Sequence, residues 1–292
     1  MRWLTLRRAI FVLVGVCVLS YLGAILYLVT QETRLVFQAG RPLAESRPSF
    51  PYEQIDLPRP DRARQFAWVM KQSDPDSSPW LLFLHGNAST IASRMNILHY
   101  TELRAFGLNV IAPEYRGYAG LDGVPSESSL IADATAAYEF MRSRAHVPAN
   151  RIVIYGWSLG SAAAVTLASK VPEAAVILEG APASVVAIGQ QRYPLLPVRL
   201  IMRNPFESIR RIGMIKAPLL FLHSPEDTVI PILEGRRLYD AAPEPKTFVE
   251  VRGGHIYASE VDRRTFFDAI RSFLATNHLL GDRSTATAAR SR

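Results

Sequence analysis

One cysteine, Cys17, occurs in 292 residues. A single thiol closes no disulfide within the chain and founds no cysteine-based metal site. Cys17 sits in an apolar run, where it behaves as a small hydrophobe, and Val14-Gly15-Val16 before it fits a lipoprotein processing site poorly. Nucleotide and metalloprotease signatures are missing too: there is no P-loop, no G-x-G-x-x-G after a predicted strand and no H-E-x-x-H. No cofactor and no metal is expected. Zinc-finger spacing, aromatic-basic RNA motifs and a basic helix leading into a coiled coil are also absent, so no nucleic-acid partner is expected. The net charge of +7 does not alter that, because it is dispersed. Arg2, Arg7 and Arg8 flank the apolar run, and Arg283, Arg290 and Arg292 lie in a polar tail. Such positions suit a membrane surface or plain solvation better than a nucleic-acid groove. Charged residues are only 20% of the chain and apolar ones 49%, which excludes a disordered composition and allows a sizeable core.

Residues 9–29 carry no charge. About 20 apolar residues in helix cross the hydrocarbon of a bilayer. The run is too long for the apolar part of a secretory signal, and no small-residue cleavage site follows it, so an uncleaved anchor is expected rather than a cleaved signal. A buried core helix would alternate with polar positions, and this run does not. The arginines before it predict a short cytoplasmic N-terminus (1–8) and a body outside the cytoplasm, periplasmic if the source is bacterial.

Residues 30–60 read as a linker, with five prolines between positions 38 and 60 and one edge strand near 53–57. From 61 to 278, short apolar runs (66–70, 80–84, 108–112, 151–155, 175–178, 219–222 and 247–251) alternate with helical patterns (91–105, 127–143, 159–170, 232–241 and 262–277). That rhythm predicts an α/β domain with a mostly parallel sheet covered on both faces. Residues 181–212 break it. Arg192, Arg199 and Arg203 interleave there with Leu195, Leu196, Leu200 and Ile201, which fits a small lid or an ordinary crossover helix with snorkelling arginines. The tail, 279–292, is small, polar and basic, and is expected to be disordered.

Gly156-Trp157-Ser158-Leu159-Gly160 follows one predicted strand and opens a helix. This is G-x-S-x-G in the strand–turn–helix setting that lifts a serine hydroxyl above a sheet. The plainer alternative is a serine helix cap after a glycine turn. A serine hydroxyl needs a base. His255, in Arg252-Gly253-Gly254-His255 beyond the last strand, is the best of six histidines, with His223 its main competitor. The base needs an acid to hold its tautomer. Asp227 follows the strand ending at His223, and the order Ser158, Asp227, His255 matches α/β-hydrolases. Glu226 is adjacent, and Glu179 is a second choice. Backbone N–H donors for an oxyanion are expected at Leu159, after the serine, and at Asn87, in the turn after strand 80–84. His85, in the same turn, reads as a brace.

With these pieces together, the chain resembles the α/β-hydrolase family of Bem46-like and ABHD12, ABHD13 and ABHD17 serine hydrolases. The stretches that carry the likeness are FLHGNAST, PEYRGYAG, VPSESSLIADATAAYEFM, IVIYGWSLGSAAAVTLAS, LFLHSPEDTVIP and VRGGHIYASEVD. The resemblance implies an α/β-hydrolase fold, a Ser158, Asp227, His255 triad with Asn87 and Leu159 at the oxyanion hole, and an ester or thioester substrate with an acyl chain. Two departures touch the pocket: Leu121 stands where relatives usually carry serine, and Trp157 is a bulky second residue of the elbow. The expected activity is a serine hydrolase acting on carboxylic esters or thioesters of lipid-like molecules. A serine peptidase of the same fold and a non-catalytic, membrane-tethered binding module are the alternatives.

Overall fold

The computed structural model describes residues 2–40, 45–59 and 64–280. The chain begins with α1 (Arg2–Phe37), passes through β1 (Glu53–Asp56), β2 (Phe66–Met70) and β3 (Trp80–Leu84), then α2 (Arg94–Ala105), β4 (Asn109–Pro113) and α3 (Glu127–Ser143). β5 (Ile152–Trp157), α4 (Leu159–Ala168) and β6 (Ala175–Glu179) follow. Then come two short helices, α5 (Val185–Arg192) and α6 (Val198–Ile201), before β7 (Leu219–His223), α7 (Ile232–Ala241), β8 (Lys246–Glu250), α8 (Gly254–Val261) and α9 (Arg263–Thr276).

The eight strands form one sheet in the order β1-β2-β4-β3-β5-β6-β7-β8. β1 and β2 are antiparallel, and every pairing from β4 onward is parallel. The central strands β3, β4, β5, β6 and β7 are buried along their whole length, as their unbroken apolar sequences require of strands covered on both sides. One face packs on α3, α4 and α7 through residues such as Leu130, Met141, Val165 and Leu238. The other packs on α2, α8 and α9 through Tyr100, Leu103, Ala258, Phe266 and Ile270. This is the mostly parallel, two-sided α/β sheet that the alternation predicts, and it agrees with the fold that the resemblance implies.

Three departures from the sequence reading bear on function. First, the N-terminal helix does not stop near residue 29. Residues 30–37, expected as linker, continue it, because TQETRLVF contains no helix breaker and its inner face finds a surface to bury. Residues 6–23 are solvent-exposed throughout, whereas Leu28, Glu32 and Phe37 are buried and Val36 half-buried, a stripe at helical spacing. With 36 residues, α1 is about 54 Å long, well beyond the ~30 Å hydrocarbon thickness. By length and composition its stretch from Leu6 is apolar enough to cross a membrane. Second, the segment after β8 holds an extra helix, α8, so His255 lies in a first helical turn rather than in an open loop. Third, Leu279 is buried against α9, so packing extends past residue 278. The rest of the expected tail, 281–292, lies outside the described residues.

Candidate active site

The turn between β5 and α4 sets the site. Ser158 adopts φ 54° and ψ −120°, a left-handed conformation that a non-glycine residue holds only under constraint. Ser158 N–H donates to the Glu179 carbonyl (2.8 Å), and the Ser161 hydroxyl donates to the Ser158 carbonyl (2.6 Å). The flanking glycines are required by close approach. A Cβ on Gly160 would lie 2.1 Å from the Leu84 carbonyl oxygen, and one on Gly156 would lie 2.4 Å from Ser161 Cα. The serine side chain is thereby pushed out over the C-terminal ends of β3 and β5.

Three loop residues meet there. Ser158 Oγ lies 2.8 Å from His255 Nε2, and His255 Nδ1 lies 2.6 Å from Asp227 Oδ2. The other carboxylate oxygen, Asp227 Oδ1, accepts from the Val229 and Ile230 amides, both at 2.8 Å. Burial alone would push the Asp227 carboxyl up. The hydrogen bonds from His223, His255 and the Ile230 amide outweigh it and hold the group well below the ordinary carboxylate range. An ionised Asp227 can only accept, so the His255 ring carries its proton on Nδ1 and Nε2 is left as an acceptor facing the serine hydroxyl. Gly253, at φ 109°, turns the chain out of β8 into α8 and aims the histidine back over the sheet. Glu226 accepts from the Gly253 amide (3.0 Å), so it fastens this loop and does not address His255.

The competing residues are engaged elsewhere. His223 Nε2 donates to the Ile230 carbonyl at 2.9 Å and sits 3.5 Å from Asp227 Oδ2. Glu179 lies beneath the elbow, where its carboxylate accepts from Tyr155 (2.6 Å) and pairs with His99 (3.0 Å). Burial works against a charged His99, yet the Glu179 charge raises its pKa overall. The bulky Trp157 stacks on the His99 ring, with centroids 5.4 Å apart. Leu121 is buried in its own turn.

The turn after β3 faces Ser158 from the other side. His85 acts as the expected brace, with Nδ1 2.8 Å from the Gly86 carbonyl and Nε2 3.0 Å from Glu114. The Glu114 carboxylate also accepts from the Tyr115 and Ile91 amides (2.9 and 3.1 Å), so one buried acid ties both ends of the turn. The sequence reading missed Glu114. Its signal was a carboxylate at the end of an apolar strand, where burial forces it to find partners. The Asn87 side chain donates to the Val36 carbonyl (2.9 Å), and the Ala88 amide donates to the Phe37 carbonyl (3.2 Å). The last carbonyls of α1 therefore hold this turn. Asn87, Leu159 and Ser158 all line one apolar cleft of about 280 Å³. That is near the lower edge of the ~300–1,000 Å³ usual for ligand pockets. Its walls come from α1, α5, α6 and the loop at Val229 and Ile230. Among the described residues, no three His, Cys, Asp or Glu side chains converge as a metal site.

A parallel sheet with a strained serine between β5 and the next helix, in line with a histidine and an aspartate from later loops, defines a hydrolase-type scaffold. Residues 81–287 match the alpha/beta hydrolase family, and the chain belongs to that family. It is 35% identical over 271 residues to the uncharacterized protein Rv2307c of Mycobacterium tuberculosis, covering 92% of this chain and 96% of that one. It is 32% identical over 231 residues to the alpha/beta hydrolase domain-containing protein WAV2 of Arabidopsis thaliana, covering 73% and 75%. It is 30% identical over 207 residues to the lysophosphatidylserine lipase ABHD12 of Danio rerio, covering 65% and 53%. Among solved structures, the Pyrococcus furiosus esterase Pf2001 superposes with a TM-score of 0.67 at 18% identity, over 82% of this chain and 98% of that one. That likeness shows the shared fold.

Proposed function

We propose that this protein is a membrane-anchored serine hydrolase that cleaves carboxylic ester or thioester bonds of lipid-like, acylated substrates. The observation that carries the reading is the unbroken line Ser158 Oγ, His255 Nε2, His255 Nδ1, Asp227 Oδ2, with both contacts within hydrogen-bond distance. In the first half-reaction Ser158 Oγ attacks the carbonyl carbon while its proton passes to His255 Nε2. Asp227 stabilises the imidazolium. The backbone N–H groups of Leu159 and Asn87 receive the oxyanion. Loss of one such donor costs about 3 kcal/mol of transition-state stabilisation. Collapse expels the alkoxide or thiolate, which takes the proton from His255, and leaves the acyl group on Ser158. Water, deprotonated by His255, then attacks the acyl-enzyme, and the proton returns to Ser158 as the acid departs.

The apolar cleft favours an acyl chain as the group lodged beside Ser158, and the lipase named among the relatives supports the same substrate class. Peptidases of this fold often use a free carboxylate to hold a substrate amine. Glu32, the carboxylate lining the cleft, is occupied by Arg203 and Asn204. On the membrane reading, α1 anchors the protein in a single pass, with its basic start in the cytoplasm and the body outside it. An alkyl fluorophosphonate should label the wild-type protein and leave Ser158→Ala unlabelled. Equal labelling of the two removes Ser158 as the nucleophile.

A further inference from the structure

The anchor helix is more than a tether. Leu28, Leu35 and Val36 of α1 line the same cleft as Ser158, facing Ile188, Val198 and Ile201 of the α5–α6 segment. Resting on the serine-hydrolase reading, we propose that the last turns of α1 form one wall of an acyl-chain site, and that the chain reaches Ser158 sideways from the bilayer, between α1 and α5–α6.

Two sets of contacts support this. The first clasps α5–α6 to α1 at the level of the cleft. The Glu32 carboxylate accepts from the Arg203 amide (2.9 Å), Arg203 Nε (2.9 Å), the Asn204 amide (2.8 Å) and Asn204 Nδ2 (2.8 Å). Arg203 also donates to the Val29 carbonyl (3.0 Å). A carboxylate bearing four hydrogen bonds is a fixed joint, and it sets the width of the gap beside Leu28. The second contact lies further back along α1, where Tyr21 Oη donates to the Leu195 carbonyl (3.0 Å). Tyr21 precedes Glu32 by eleven residues, or about 16 Å of helix. Tyr21 belongs to the uncharged run, so the tip of the α5–α6 segment reaches apolar depth. Its side chains agree: Leu195 and Leu200 are 85% and 87% exposed, and Leu22 and Leu26 of α1 are 53% and 63% exposed. Leucines this exposed in water are disfavoured, but they continue the apolar surface of a membrane-crossing helix. Arg192 and Arg199 border them and suit the phosphate level of lipid headgroups.

The test uses the full-length protein in phospholipid nanodiscs and a hexadecyl fluorophosphonate bearing a diazirine at the far end of its chain. After labelling and irradiation, crosslinks are mapped by peptide mass spectrometry. Crosslinks to α1 between residues 21 and 28, on protein labelled at Ser158, are expected. Labelling at Ser158 with crosslinks confined to parts of the body away from α1 overturns the proposal and leaves the serine-hydrolase reading standing. Absence of label on Ser158 overturns that reading and this proposal with it. In a second arm, Leu28→Trp should lower the ratio of hexadecyl to ethyl fluorophosphonate labelling rates at least tenfold. Leu13→Trp, on the exposed part of α1, should not change that ratio. An unchanged ratio in Leu28→Trp overturns the proposal.

Discussion

Asp227→Asn separates charge from shape at the proposed acid. The substitution keeps the size of the side chain, and the structure dictates its orientation. Asp227 Oδ1 accepts two amide hydrogens, from Val229 and Ile230, so an asparagine must put its carbonyl oxygen there. Its NH2 group then faces His255 Nδ1, where Oδ2 stood 2.6 Å away. Nδ1 must accept that hydrogen, the ring proton moves to Nε2, and the face turned to Ser158 Oγ loses its lone pair. The variant should fold, because every buried donor around position 227 keeps a partner. Turnover should fall by ~10³–10⁴, about 4–5.5 kcal/mol of transition-state stabilisation. Asp227→Ala makes the contrast: it strands the Val229 and Ile230 amides at ~1–3 kcal/mol each and should lower stability as well. The measurement is kcat/KM on an aryl ester, with thermal unfolding of the same preparations. If Asp227→Asn stays within tenfold of wild type, another carboxylate orients His255 and the assignment of Asp227 is wrong.

Other outcomes follow from the same geometry. Gly160→Ala should abolish folding or cost ~3 kcal/mol or more in chemical denaturation, because its Cβ would meet backbone oxygen of Leu84 at 2.1 Å. A near-native denaturation midpoint would mean that the elbow relaxes. The depressed Asp227 carboxyl contributes stability that is present above its unfolded pKa of about 3.9 and is lost as pH falls through its lower folded value. Wild-type stability should therefore drop more steeply than that of Asp227→Asn below about pH 4 in urea titrations, and parallel curves would contradict the depressed value. Glu114→Gln should place an NH2 against one of three donors now satisfied by the carboxylate, His85, Ile91 or Tyr115. A loss of ~1–3 kcal/mol in stability is expected, with lower kcat from a displaced Asn87 turn; unaltered stability and kcat would refute its bracing role.

Local pattern alone located much of this protein. The glycines around Ser158 are legible because a tight strand-to-helix turn has a fixed chemistry, and the unbroken apolar runs of β3 to β7 announce strands buried on both faces. The uncharged stretch of residues 9–29 likewise marks a helix long enough for a bilayer. Asp227 and His255 were legible as loop residues after strands in the right order. That His255, and not His223, reaches Ser158 depends on Gly253 turning the chain into α8, a helix whose short, mixed sequence carries little periodicity. Glu114 and Glu179 looked alike, as acids closing apolar strands. Only the packing assigns one to the turn at Asn87 and the other to a buried pair under the elbow. The continuation of α1 to Phe37 was hidden for a related reason. Residues 30–37 read as polar linker because burial of Glu32 requires Arg203 and Asn204, about 170 residues away. Sequence by itself determined the fold class and singled out Ser158 as the candidate nucleophile, since both rest on periodicity and local backbone chemistry. Tertiary structure decided which distant side chains share a hydrogen bond, and so joined the end of α1 to the wall of the cleft over Ser158.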